Sequence, residues 1–194
     1  MSYVTGTAIG RRISMRIKRI FLQVLVAVLI AAGMRVTANA DTIKGKCGDN
    51  CRYSYNTGTK EMVISGTGDI TDNPWVKASY FHKIKKVTIK NGITALKVKG
   101  AFECCRGIET VHMAESVKEV AVRAFSYCVN LKTLTIPGVE VIDRRAFEEC
   151  SKLSGVEFSK SIRKIGRLAF CGVGFKGELV IKKGSVMEEM PFQI

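Results

Sequence analysis

"AFSYC" at Ala124–Cys128 and "AFEEC" at Ala146–Cys150 are near copies of each other. The pair Ala-Phe also stands at Ala101–Phe102 and Ala169–Phe170, so it recurs at intervals of 23, 22 and 23 residues. A fixed period of this length marks a repeat architecture, in which each unit is one supersecondary element. Other positions recur in step with it. Nine residues after each Phe comes Val111, Leu134, Val156 or Leu179, and two further on Met113, Ile136, Phe158 or Ile181. Six residues after the first three Phe positions stand Ile108, Leu131 and Leu153, with Lys176 in that place in the fourth unit. A degenerate unit with Val87 and Ile89 in the strand columns precedes these four.

The stretches "VHM", "LTI", "VEF" and "LVI" alternate apolar and polar at period two, which predicts short strands. Thr88, His112, Thr135, Glu157 and Val180 then face outward. A second apolar pair follows in Val117/Val120, Val139/Ile142 and Ile162/Ile165. The chain must next turn back, and "RRAFEEC" suits a short helical or 3-10 turn that closes a coil. A unit of about 22 residues cannot bury its own apolar face, whereas stacked units cover one another. Equivalent residues then form ladders. Phe fills the wide end of each coil, Ala permits close approach, and Cys105, Cys128 and Cys150 take a small buried slot. Val173 takes that slot in the fourth unit, which favours packing over chemistry as the reason for these cysteines. After it the last unit has neither the Cys nor a closing Ala-Phe.

At these residues the chain resembles the BspA-like leucine-rich repeats of bacterial and some protozoan surface proteins. "LKTLTIPGVEVIDRRAFEEC" (Leu131–Cys150) follows that pattern closely, and "SIRKIGRLAF" (Ser161–Phe170) carries its Ile-Gly-x-x-Ala-Phe element. "LKVKGAF" departs from it by one extra residue. The expected fold class is α/β to mainly β: a leucine-rich repeat solenoid with short parallel strands and short helical or 3-10 turns. About four to five units of 22–24 residues are expected over 81–186, with a tail at 187–194.

"CGDNCRYSYNTGTKEMVISGTGDITDNPW" (Cys47–Trp75) precedes the repeats. "CRYSY" and "EMVIS" read as strands joined by the turn "NTGTK", a hairpin, and "GTGDI" reads as a second turn. Proteins with BspA-like repeats often carry a similar segment. A small β-hairpin over 41–80 is expected to cap the open end of the solenoid, shielding ladder edges and apolar side chains.

Residues 1–40 read as a signal peptide. Arg11, Arg12, Arg16, Lys18 and Arg19 precede the 14-residue apolar core Ile20–Gly33. That core is shorter than the roughly 20 residues a membrane span needs. "ANA" at Ala38–Ala40 is a small-x-small cleavage site, which predicts a mature start at Asp41. An uncleaved anchor is the alternative, and Met15 is an equally serviceable start. This segment holds six of the 31 basic groups and none of the 17 acids, so the remainder carries a formal +8, 25 against 17. Such a balance attracts anionic surfaces at long range. Export and the absence of an aromatic-interleaved basic helix argue against nucleic acid.

Seven cysteines in an exported chain raise disulfides and metals. Cys47 and Cys51 flank three residues and are candidates for a local disulfide. The sequence "IKGK" before Cys47 lacks the residues of a lipobox. With no Cys-x-x-Cys and only two isolated histidines, His82 and His112, no metal or other cofactor is expected. Glu103, Glu148 and Glu149 read as solvated turn residues, and no nucleophile stands beside a base, so no enzymatic role is expected.

The resemblance implies adhesion or host interaction by a secreted or cell-surface protein. The expected contact strip is Lys86, Thr88, Thr110, His112, Thr133, Thr135 and Glu157. Its expected partner is an extracellular protein or an anionic polymer of a cell wall or host surface. The alternative is a structural fragment of a larger repeat protein, without a partner of its own.

Overall fold

A computed structural model describes residues 40–175, 185–188 and 191–192. The expected signal peptide 1–40, apart from Ala40, and the expected strand Leu179–Ile181 lie outside these residues.

The described chain forms short strands in two series. In order they are β1 (Thr42–Lys46), β2 (Cys51–Asn56), β3 (Glu61–Gly66), β4 (Gly68–Ile70), β5 (Lys86–Ile89), β6 (Ile93–Leu96), β7 (Thr110–Met113), β8 (Glu119–Val120), β9 (Thr133–Ile136), β10 (Val141–Ile142), β11 (Glu157–Phe158), β12 (Lys164–Ile165) and β13 (Val186–Met187). The first sheet runs β1-β2-β3-β5-β7-β9-β11 and the second β4-β6-β8-β10-β12-β13. Between coils the pairing is parallel and in register with the repeat: Val87 lies beside Val111, and Val111 beside Leu134. The alternating stretches "VHM", "LTI" and "VEF" therefore supply the strands β7, β9 and β11 of the first sheet. The second apolar pairs build the second sheet, with Val120 beside Ile142 and Ile142 beside Ile165.

Apolar residues from both sheets meet inside. Val87, Ile89, Val111 and Met113 from one side, and Ile93, Leu96, Val117 and Val120 from the other, are fully buried. Each coil covers the apolar face of the next, as a stacked repeat requires.

The Ala-Phe turns make the third side. Their internal bonds span three residues, as 3-10 winding demands: Ser126 N–H donates to Arg123 O, and Cys128 N–H to Phe125 O. The intervening donors leave the coil. Arg123, Phe125 and Tyr127 N–H donate to Arg144, Ala146 and Glu148 O of the next coil. Left-handed residues recur in two columns, Gly100–Arg123–Arg145–Leu168 and Cys104–Tyr127–Glu149–Gly172, all with φ between 56° and 69°. Left-handed backbone costs a non-glycine residue roughly 1–2 kcal/mol. It persists here together with backbone bonds to the neighbouring coil.

The Phe ladder is longer than the four Ala-Phe pairs. Trp75, in a 3-10 helix at Pro74–Lys77, stacks on Phe102 at 5.1 Å. The stack continues through Phe125, Phe147 and Phe170 at 5.1–5.5 Å and reaches Phe192 at 5.6 Å. Phe170 N–H donates to Pro191 O, the bond that Phe125 N–H makes with Ala146 O. Pro191–Phe192 therefore stands where the expectation found no closing Ala-Phe.

Two further expectations change. "GTGDI" is not wholly a turn. Gly66, at φ 123°, makes the corner, and Gly68–Ile70 is a strand parallel to β6. Glu148 is not solvated: it is 7% exposed, accepts from Ser126 Oγ at 3.3 Å and faces Arg145 Nε at 3.5 Å. Burying a charge without such partners would be costly.

The hairpin of β2 and β3 forms as read from the alternation. Its neighbours were less apparent. β1 adds to it antiparallel, and β3 pairs in parallel with β5, placing Glu61 beside Lys86 and Val63 beside Thr88. The segment before the repeats thus shares one sheet with them.

Candidate functional site

The outward face of the first sheet collects the predicted strip. In parallel strands, equivalent residues lie about 4.8 Å apart. One row is Thr88–His112–Thr135–Glu157, each beside the next by register. A second row is Lys86–Thr110–Thr133. His112, Thr133, Thr135 and Lys86 are exposed, while Thr88 and Thr110 are half-buried. The side chain of Glu157 lies outside the description. All seven predicted positions thus fall in two adjacent rows of one sheet.

Register carries the rows further than the sequence reading did. Beyond Thr88 the first continues through Val63, Ser54 and Lys44, and beyond Lys86 the second reaches Glu61. Lys46, Arg52 and Ser65 form a third row beside them. These residues escaped notice because a parallel junction between a hairpin and a repeat leaves no local pattern. The only hint was the spacing of Lys44 and Lys46 at i and i+2.

Charge is organised across coils. Glu61 accepts from Thr88 Oγ1 at 2.8 Å and pairs with Lys86 at 3.1 Å. The Thr88 bond, and then Lys86, holds its carboxyl below the usual range. Lys85 and Lys132 flank Glu109 at 2.9 and 3.3 Å, and their bonds lower its pKa too. His112, Thr133 and Thr135 make no side-chain bond among the described residues, so they are free to meet a partner.

The description "BspA type Leucine rich repeat region" matches residues 77–188 in six copies, more than half of the chain. The chain belongs to that family. The BspA-type chain also resembles solved leucine-rich repeat proteins. A leucine-rich repeat protein from Eubacterium ventriosum superposes with a TM-score of 0.56 at 20% identity, over 77% of this chain and 40% of that one. The T. pallidum leucine-rich repeat protein gives 0.54 at 17%, over 77% and 67%. One from Bacteroides ovatus gives 0.54 at 20%, over 75% and 37%. Identities this low show the fold alone. The chain spans about two fifths of the first and third proteins and 67% of the second. No curated protein matches the chain.

Elsewhere in this BspA-type chain the candidate groups are engaged in structure. Cys47 and Cys51 are both buried thiols. Cys51 Sγ donates to Asp69 O at 3.2 Å and approaches Thr67 O at 3.4 Å. Burial pushes the Cys47 pKa up to about 12. Among the described residues no group of three or more His, Cys, Asp and Glu is placed to hold a metal, and no helix is long and apolar enough to cross a membrane.

Proposed function

We propose that this protein is a secreted or surface-displayed binding module, and that the outward rows of the first sheet form its contact face. The observation that carries this reading is the contrast between two sets of columns built on one geometry. Inward columns repeat nearly the same residue, as Phe102, Phe125, Phe147 and Phe170 do. The outward row varies through Lys44, Ser54, Val63, Thr88, His112 and Thr135 at constant spacing. Packing restricts the first set, while in the second His112 and Thr135 are exposed and make no side-chain bond among the described residues. The leader-like pattern of residues 1–40 and the +8 balance of the remainder support display towards an extracellular protein or an anionic polymer.

The test compares two double variants in capture of extracellular-matrix proteins and cell-wall polymers. One is His112→Ala with Thr135→Lys, on the face. The other is Tyr127→Ala with Arg144→Ala, exposed on the turn side and at the second sheet. The face pair is expected to lose the partner and the other pair to keep it. The reverse pattern would refute the assignment. Export is checked separately: N-terminal sequencing of protein recovered from the medium or cell surface is expected to begin at Asp41.

A further inference from the structure

We propose that the β1–β3 end of this face is a site for an oxyanion, and that the partner lying along it is an anionic polysaccharide carrying sulfate or carboxylate groups. The inference deepens the reading of the face as a contact surface and rests on it.

Lys44, Gly45, Lys46, Arg52, Tyr53, Ser54 and Ser65 line a shallow cavity of about 440 Å³. Register explains the assembly. Lys46 lies directly opposite Arg52, Arg52 opposite Ser65, and Lys44 opposite Ser54. Cys51, Tyr53 and Tyr55 point inward, so Arg52 and Ser54 point out with the two lysines. Directly opposed side chains in an antiparallel pair lie about 5 Å apart at Cβ, and like charges there repel. Between the parallel strands β3 and β5 the neighbouring positions carry opposite charges, Lys86 beside Glu61. Here three cations share one spot, and none has a carboxylate within ion-pair distance among the described residues. Lysines on an edge strand also deter strand addition, but Arg52 lies on the interior strand β2, where that role does not apply. An oxyanion in the cavity would relieve the repulsion. It would take charge-assisted bonds from the cations, with Ser54 and Ser65 supplying hydroxyl donors.

The rest of the face decides what carries the anion. Thr110 and Thr133 in one row and Thr135 beside His112 in the next offer hydroxyls, with Thr88 engaged by Glu61, and no exposed Trp, Tyr, Phe or Met stands among them. Protein interfaces draw their energy from buried aromatic anchors, with Arg and Met also enriched. Single-stranded nucleic acid needs aromatic stacking platforms. A polysaccharide needs neither: its hydroxyls pair with a hydroxyl face, and its anionic groups with the cationic end.

The experiment measures binding of a heparin-derived octasaccharide to the full chain by titration calorimetry. A neutral dextran of equal length and a single-stranded oligonucleotide of equal charge run in parallel. The octasaccharide is expected to bind with an affinity that falls as salt rises, the dextran and the oligonucleotide far more weakly. Lys44→Ala with Arg52→Ala should weaken octasaccharide binding roughly tenfold or more, since phosphate-type contacts each contribute to the salt-dependent affinity. Arg52→Gln alone should weaken it by less. Lys118→Ala with Arg163→Ala, the same change in charge made just before β8 and β12 of the second sheet, should leave it unaltered. Equal losses in the two double variants, or equal binding of the oligonucleotide, would mean attraction by net charge and would overturn the site. If the octasaccharide fails to bind while the His112/Thr135 pair still abolishes capture of a partner, the anion site is wrong and the contact face stands. If the octasaccharide needs Lys44 and Arg52 while that pair changes no capture, the site stands and the wider face reading fails.

Discussion

Cys128 Sγ donates a hydrogen bond to the carbonyl oxygen of Phe102, 3.3 Å away in the preceding coil. Cys105 does the same to Phe81 O at 2.9 Å, and Cys150 to Phe125 O at 3.3 Å. The repeated cysteine therefore fills a slot and also satisfies a carbonyl of its neighbour. Val173, 4% exposed in the same column, shows that filling the slot is enough at one unit. Cys128→Ala removes a fully buried sulfur and its weak donor, and should destabilise the chain by about 1–2 kcal/mol. In urea the midpoint should fall with the slope unchanged. An unaltered midpoint would show that the slot collapses freely around alanine.

The same burial controls reactivity. It pushes Cys105 and Cys150 up to about 12 and Cys128 well above the ordinary 9.0. Since the thiolate is the nucleophile, iodoacetamide should label Cys104, which is exposed, and spare these three until the chain unfolds. Folded thiols then hold protons that unfolded ones release. The stability tied to them is fully present below about pH 9 and is lost as pH rises towards 12. Cys150→Val, which copies Val173, should flatten that alkaline decline. Peptide mass spectrometry of the native labelled protein that found carbamidomethyl at Cys128 would contradict the ladder.

How far the sequence revealed the molecule depended on whether a feature repeats. The Phe, aliphatic and Cys columns were legible because each recurs at a spacing of 22 or 23 residues, Phe four times and Cys three, and register follows from spacing alone. Trp75 was not seen as the first member of the Phe ladder, because it lies 27 residues before Phe102 in a segment with different connections. Phe192 was overlooked because Pro191 stands in the alanine column. Glu148 reads as a solvated turn residue in the sequence, since an acid next to a second acid, Glu149, gives no sign of a serine and an arginine folded against it. On the candidate face, the strip within the repeats was legible. Lys44, Lys46 and Arg52 were not, because their place depends on the junction of β3 with β5.

A second electrostatic prediction lies on the second sheet. Burial raises the pKa of Asp143, with Glu119 and Glu188 adding to the rise while Lys164 and Lys97 oppose it. A folded carboxyl with a raised pKa binds protons that the unfolded chain has released. Its ionisation therefore costs stability as pH rises through that window. Asp143→Asn removes the charge and keeps the shape. It should raise the thermal midpoint at pH 7 and leave it nearly unchanged at pH 3, where both states are protonated. A lower midpoint at pH 7 would mean that the attraction of Lys164 and Lys97 outweighs burial.

The last prediction concerns the end of the Phe ladder. Trp75 is fully buried, stacks on Phe102, meets Tyr53 edge-on at 5.3 Å and donates from Nε1 to Ala101 O at 2.7 Å. No backbone N–H among the described residues donates to that carbonyl, so Trp75→Phe keeps the stack but orphans an acceptor. Such a group costs about 1–3 kcal/mol. Trp75→Ala loses the stack as well and should cost about 3–5 kcal/mol. In a repeat chain stability is the sum of units and nearest-neighbour interfaces, so the damage should be local. Hydrogen exchange should show amides of the Phe102 coil losing protection in Trp75→Phe while those around Phe147 keep most of theirs. A uniform loss along the chain would show instead that the described coils unfold as one cooperative block, with Trp75 an ordinary member of a single core.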